Sequence, residues 1–297
     1  MAKKYSNPKK LAIIDLGSNS VRMLITDRNY SKQSVVTRLG EGLSISGVLS
    51  NEGIKRSLDA VLDYIAAAKK AGVKDIHIFA TQAVRAAQNS DYFKKLFYNQ
   101  TGYDLEVLDS ADEALCGFLG AVSDMSQEIN IAVLDIGGAS TEITIGVSPN
   151  QSIYSKSLPI GAVSLRDLYL NDITQFESQI NKELDRLGCI KADTFVGIGG
   201  TFGSLSAILL GLKTYDARKT HNSIIMYNAL QDLKKSLWQK DDAQIYNEYP
   251  FLGQRAKTIK YGALWALELM KRLNINAIQI SEKDILEGYC ILKNIKA

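Results

Sequence analysis

The chain has 297 residues, 46% of them hydrophobic and 23% charged, with a net charge of +3. That length allows two domains of about 150 residues each, with the composition of a folded globular protein rather than a disordered or fibrous one. The mild positive charge excludes a nucleic-acid-coating protein, and no run of about 18 apolar residues is present to span a membrane. Lys3, Lys4, Lys9 and Lys10 read as a solvated tail, because the apolar run that follows is broken at Asp15, unlike that of a signal peptide. Cys116, Cys189 and Cys290 are scattered without metal-ligand spacing and read as buried, reduced thiols in a cytoplasmic protein.

In chain order, Leu11–Leu16 and 21–26 predict a hairpin, and 34–39 a third strand. A glycine-rich loop, Gly40–Gly47, leads to a helix capped by Ser50 or Asn51. Its apolar positions Ile54, Leu58, Val61, Leu62 and Ile65 have helical spacing, and Gly72 stops it. Residues 75–81 predict a strand that runs into a turn and a helix carrying Arg85. Residues 104–108 predict another strand, and Asp109 or Ser110 can cap a helix over 111–122. The second part repeats this order, with strands at Asn130–Ile136, Thr141–Val147 and 153–158. A helix at Ile173–Leu187 and a strand at Thr194–Ile198 follow. A glycine-rich turn, Gly197–Gly203, then opens an apolar helix through Leu210. Residues 213–242 form a polar stretch with helical segments, 254–272 a helix, Ala277–Ile280 a strand and 284–294 a final helix. This is an α/β order with antiparallel hairpins joined to parallel crossovers.

The strongest signal is internal. Leu11–Asp27 returns as Ile131–Val147 at a constant offset, since 135 − 15 = 120 and 140 − 20 = 120. Ala12/Ala132, Asp15/Asp135, Gly17/Gly137, Ser20/Ser140 and Ile25/Ile145 are identical pairs. The spacing is too long for a solenoid and points to two similar half-domains, with a hinge expected near 123–128.

Each copy holds an Asp-x-Gly turn. Glycine lets backbone N–H groups approach an anion, and Ser18, Ser20, Ser140 and Thr141 add hydroxyl donors. Asp15 and Asp135 end their strands where a carboxylate can serve Mg²⁺ directly or through water. A single copy would read as an ordinary hairpin turn; two in register favour phosphate binding. Gly197–Gly203 is a third glycine-rich turn, at a helix N-terminus that favours anions. Glu113 is either a first-turn acid favoured by the helix dipole or a general base. Arg85 is either a surface helix residue or a phosphate clamp. Glu142, matching Arg22 in the repeat, is an unusual charge on an apolar strand, suited to ligand or metal contact. His77 reads as an ordinary strand residue and His221 as exposed; two histidines support neither a metal site nor a Ser-His-Asp triad.

Several of these stretches resemble the exopolyphosphatase/guanosine pentaphosphate phosphatase (Ppx/GppA) family of the actin-like ATPase superfamily. They are Asp15–Ser20, Ala80–Arg85, Asp112–Ala114, Asp135–Glu142, Gly161–Leu165, Gly199–Thr201 and Leu286–Gly288, spread in order along nearly the whole chain. The resemblance implies two ribonuclease-H-like domains with the active site in the interdomain cleft. Their expected bounds are 1–124 with 288–297, and 125–287, the last helix crossing back to the first domain. It places Glu113 on the general base and Arg85 on the phosphate-binding arginine. Gly17, Ser18, Asn19 and Ser20, then Gly137, Gly138, Ala139, Ser140 and Thr141, with Gly200 and Thr201, fall on phosphate-binding positions. Asp15, Asp135 and Glu142 fall on acids associated with Mg²⁺. Ala139 stands where the family usually has glycine, and the added C-terminal helical domain of longer members does not follow.

The implied activity is Mg²⁺-dependent hydrolysis of the terminal phosphoanhydride of inorganic polyphosphate. The alternative is conversion of guanosine pentaphosphate (pppGpp) to ppGpp, and further alternatives are a small-molecule kinase of the same superfamily or a non-catalytic nucleotide sensor. The expected partners are these polyanions, without nucleic acid or membrane, and a homodimer is allowed for.

Overall fold

The computed structural model describes residues 10–26, 31–126, 129–138, 140–147, 151–171 and 173–295, with the backbone alone at 44–45, 151–153, 171 and 173–175. Ala139, the lysines at 3, 4 and 9, and residues 127–128 of the expected hinge lie outside the described residues. The chain divides into two compact units. One comprises the residues up to Cys116 together with those from Ile285 on; the other is Gly117–Asp284.

The first unit is built on a five-stranded sheet of β1 (Leu11–Leu16), β2 (Ser20–Ile25), β3 (Ser31–Val36), β4 (Asp75–Ala80) and β5 (Glu106–Val107). Their order is β3-β2-β1-β4-β5. β1, β2 and β3 pair antiparallel, whereas β4 and β5 run parallel to β1. β1 is apolar on both faces because both are covered, as expected beside parallel crossovers. Ala12, Ile14 and Leu16 join the core under the helices Asn51–Lys70 and Ser90–Thr101, and Leu11 and Ile13 pack on the other side with Ile285, Leu286 and Tyr289. The helix Ile285–Leu292 lies on that second face. A Cβ at Gly288 would come within 1.7 Å of the Cys116 carbonyl oxygen, so only glycine lets the two backbones cross.

The second unit contains β6 (Asn130–Ile136), β7 (Thr141–Val147), β8 (Gln151–Leu158), β9 (Thr194–Ile198), β10 (Ile224–Met226) and β11 (Ala277–Ile280). Their order is β10-β11-β9-β6-β7-β8. Setting β10 aside, this is the first sheet's order repeated. The alternation repeats too: Ala132, Leu134 and Ile136 enter one core, Ile131 and Val133 the other. Among the described residues no helix is long and apolar enough to cross a membrane.

The hairpins, the capped helix at Asn51 and most strands fall where the sequence predicts. The Ser50 side chain accepts from Gly53 N–H, and Asp109 Oδ1 accepts from Asp112 N–H. Four expectations are corrected. The third strand is Ser31–Val36 rather than 34–39, because the chain turns off at Arg38 (φ 52). The expected helix over 254–272 starts within the 3-10 helix Pro250–Lys257, breaks at Thr258 (φ −123), and is α-helical only over Ile259–Arg272. His221 is half-buried, with Nε2 2.9 Å from Asp124 Oδ2. Of the cysteines, which are all free, only Cys116 is buried, its thiol pushed up to about 12 by desolvation; Cys189 is exposed and Cys290 intermediate. The sequence reading also missed the helices Ser90–Thr101 and Ala162–Asn171 and the short strand β10.

Candidate active site

The duplicated stretch makes the same turn twice. Gly17 N–H donates to Ser20 O at 3.0 Å, and Gly137 N–H to Ser140 O at 2.9 Å. In each copy the acid at the end of the first strand lies directly across the ladder from the residue seven positions on, Asp15 from Arg22 and Asp135 from Glu142. Directly opposed residues share a face. The two copies therefore differ in charge at one equivalent place.

In the first unit the 17–20 turn is held from outside. Asn19 O accepts from Thr37 N–H and Arg38 N–H, at 3.0 and 2.9 Å, and Ser18 O accepts from Gly40 N–H at 2.8 Å. Ser18 Oγ donates to Gln82 Oε1 at 3.3 Å. Gln82 opens the short helix Gln82–Ala86, and one turn later Arg85 reaches Glu113. The Arg85 Nη1 group donates to Glu113 Oε2 at 2.9 Å and to Leu108 O at 2.6 Å. Both side chains are half-buried, at 26% and 32% exposure, so the pair is fixed yet reachable by solvent. Asp15 is buried, and its Oδ2 accepts from Arg22 Nη2 at 2.6 Å and Nε at 2.9 Å.

In the second unit the 137–140 turn packs on the start of the helix Ala162–Asn171. Ala162 N–H donates to Gly137 O at 3.0 Å, and Val163 N–H to Gly138 O at 2.8 Å. Thr141 is fully buried; its hydroxyl donates to Ile160 O at 2.6 Å and accepts from Trp265 Nε1–H at 2.8 Å. Thr201 Oγ1 donates to Ile136 O at 2.7 Å. These two threonine hydroxyls are committed inside the fold. Gly200 and Thr201 lie in the first turn of the helix Gly199–Leu209, with the Arg255 guanidinium against Gly200. Asp135 and Gly199 are in intimate contact: a Cβ at Gly199 would lie 2.4 Å from Asp135 Oδ1. Glu142 Oε1 accepts from Ser157 Oγ at 3.0 Å.

Among the described residues no three His, Cys, Asp or Glu side chains gather as a metal site. The acids come in pairs instead. Asp15 faces Arg22 across the ladder, and Asp135 faces the Glu142 carboxylate. Hard oxygen donors in such a pair fit Mg²⁺, which commonly takes one or two carboxylates and completes its shell with water and substrate phosphate. Sequence reasoning missed what Gly161, Gly199, Gln82 and Trp265 do. Gly161 and Gly199 lay in stretches already singled out. Gln82 lay in the singled-out stretch Ala80–Arg85, whereas Trp265 gave no signal, because it acts on a residue distant in sequence.

A twice-built sheet of order 3-2-1-4-5, with a glycine turn at the same strand end each time, defines a protein of the ribonuclease-H-like, actin-like ATPase class. A crystal structure of a Ppx/GppA family member from Aquifex aeolicus matches this fold with a TM-score of 0.83 at 24% identity, over 97% of this chain and 99% of that one. The model of the Ppx/GppA phosphatase family matches residues 25–294. The chain belongs to the Ppx/GppA phosphatase family and is a hydrolase. Exopolyphosphatase 2 of Mycobacterium tuberculosis is 30% identical over 313 residues, covering 95% of this chain and 98% of that protein. The guanosine-5'-triphosphate,3'-diphosphate pyrophosphatase of Aliivibrio fischeri is 28% identical, covering 97% of this chain but 60% of that protein.

Proposed function

We propose that this chain is an exopolyphosphatase that releases phosphate from the end of inorganic polyphosphate with Mg²⁺. The observation that carries the reading is the Arg85–Glu113 contact at 2.9 Å, one helical turn from the residue that touches Ser18. A base and a forked cation held together are what attack on a terminal phosphoryl group requires. Glu113 takes a proton from water as the water oxygen bonds to the terminal phosphorus. The anhydride P–O bond breaks, and the shortened chain leaves with the bridging oxygen. Arg85 binds the oxygens of the transferred phosphoryl group. The turns at 17–20 and 137–140, with Gly200, bind phosphate oxygens through backbone N–H groups and Ser18, Ser20 and Ser140. Asp135 and Glu142 would hold Mg²⁺, and the ion supplies charge neutralisation when bound.

Polyphosphate is put ahead of pppGpp because the relative named an exopolyphosphatase is 30% identical over nearly the whole of its own length. The deciding experiment measures phosphate release from short polyphosphate, long polyphosphate, pppGpp and ATP side by side with Mg²⁺. Polyphosphate should give the highest kcat/KM, and Glu113→Gln should abolish release while leaving the circular dichroism spectrum unchanged. Faster release from pppGpp would reassign the substrate. Wild-type turnover by Glu113→Gln would remove Glu113 from the role of base.

A further inference from the structure

We propose that Trp265 is a positioning residue for phosphate binding, acting through Thr141 on the second glycine turn; this rests on the reading of that turn as a phosphate site. Trp265 is fully buried on the helix Ile259–Arg272, 124 positions from Thr141 in sequence. Its indole N–H donates to Thr141 Oγ1 at 2.8 Å, and that hydroxyl donates onward to Ile160 O at 2.6 Å. The relay therefore joins the end of the turn to the residue that precedes Gly161, on whose following helix the turn rests. The turn's other end is held separately, by Thr201 Oγ1 on Ile136 O at 2.7 Å. Gly262 connects the two anchors. It lies three residues before Trp265 on the same helical face, and a Cβ there would fall 2.6 Å from Thr201 Cγ2.

One helix thus braces both threonines that frame residues 136–141. Neither threonine hydroxyl is free to meet a ligand, so their contribution is to the shape of the backbone between them. A buried hydroxyl with both roles filled is rigid, and breaking one member of such a network loosens the rest. An N–H cradle binds an anion only when its donors already converge. Trp265 is in that sense part of the site without touching substrate.

The test measures the dissociation constant of inorganic tripolyphosphate with Mg²⁺, by titration calorimetry at 20 °C, for the full chain carrying Glu113→Gln, so that turnover does not consume the probe, and for that chain with Trp265→Phe, Thr141→Val or both. Trp265→Phe keeps most of the ring and removes the donor. The loss of one buried hydrogen bond corresponds to roughly three- to tenfold weaker binding. Each single variant should show that loss, and the double variant should be no weaker than Thr141→Val alone, because both act through one contact. Melting temperatures recorded in parallel separate shape from stability. A lower melting temperature with an unchanged dissociation constant would make Trp265 a core residue only and overturn the proposal, as would strict additivity in the double variant. Binding by Glu113→Gln with no phosphate release by the wild type would sink the catalytic reading and leave this one standing. No binding by Glu113→Gln would sink both.

Discussion

Gly161→Ala is the sharpest perturbation of the second turn that leaves every polar group in place. An added Cβ would lie 2.6 Å from Gly137 O and 2.7 Å from both Gly138 C and Gly138 O, where real Cβ contacts stay at or beyond 3.0 Å. All three atoms are backbone, so no side chain can swing away. Either the turn or the start of the helix Ala162–Asn171 must move by at least about 0.4 Å. Forced overpacking of this kind costs about 1–3 kcal/mol. For a unit of this size each kcal/mol lowers the melting temperature by roughly 2–4 °C, so the expected fall is about 2–12 °C. A displacement near 1 Å at a catalytic site can cost about a hundredfold, and the smaller shift here should cost roughly tenfold in kcat/KM. The assay is steady-state phosphate release from polyphosphate, paired with calorimetric melting. Gly117→Ala serves as the control, because its Cβ would meet nothing nearer than Ile198 Cδ1 at 4.0 Å, within a helix. That variant should melt at or slightly above the wild-type temperature, by the helix preference of alanine over glycine. If Gly161→Ala keeps full kcat/KM, the contact between the turn and the following helix does not set the turn's geometry.

The paired acids of the second unit predict a specific response to metal. Chelation should stop phosphate release and added Mg²⁺ restore it, and Asp135→Asn should raise the Mg²⁺ concentration for half-maximal rate by roughly tenfold or more; an unchanged requirement would take Asp135 out of the metal site. In the first unit, burial raises the Glu106 carboxyl, but hydrogen bonds from Lys293 and Tyr289 outweigh it and hold the group below its ordinary value of 4.5. A lowered folded-state value means stability that is present above the unfolded pKa and lost as pH falls through the folded one. Glu106→Gln should therefore melt below the wild type at pH 7, with the gap closing as the pH is taken down below 4.5. A gap that stays constant down to pH 3 would show that the charge on Glu106 is not what holds the last helix. Because Glu106 is 39% exposed, solvent screening keeps the expected gap small.

Local sequence carried much of this protein. Continuous apolar runs set the central strands, and Asp109 and Ser50 marked their helix starts through side chains that accept neighbouring N–H groups. The offset of 120 between two Asp-x-Gly turns marks a duplicated architecture in the sequence itself, because two copies of one local signal fold alike. What sequence could not decide was partnership. Arg85 and Glu113 were each ambiguous alone; their meeting at 2.9 Å depends on β4, β5 and the helix Ser110–Ala121 converging at one sheet end. Thr141 read as a ligand donor because of its neighbours, yet burial turned its hydroxyl inward to Ile160 and Trp265. Likewise, the repeat by itself makes Asp15 and Asp135 equivalent. Only the cross-strand register separates them, setting Arg22 opposite one and Glu142 opposite the other. Hydrogen bonds and ion pairs act over about 3 Å of space regardless of separation along the chain, and that distance is set by packing.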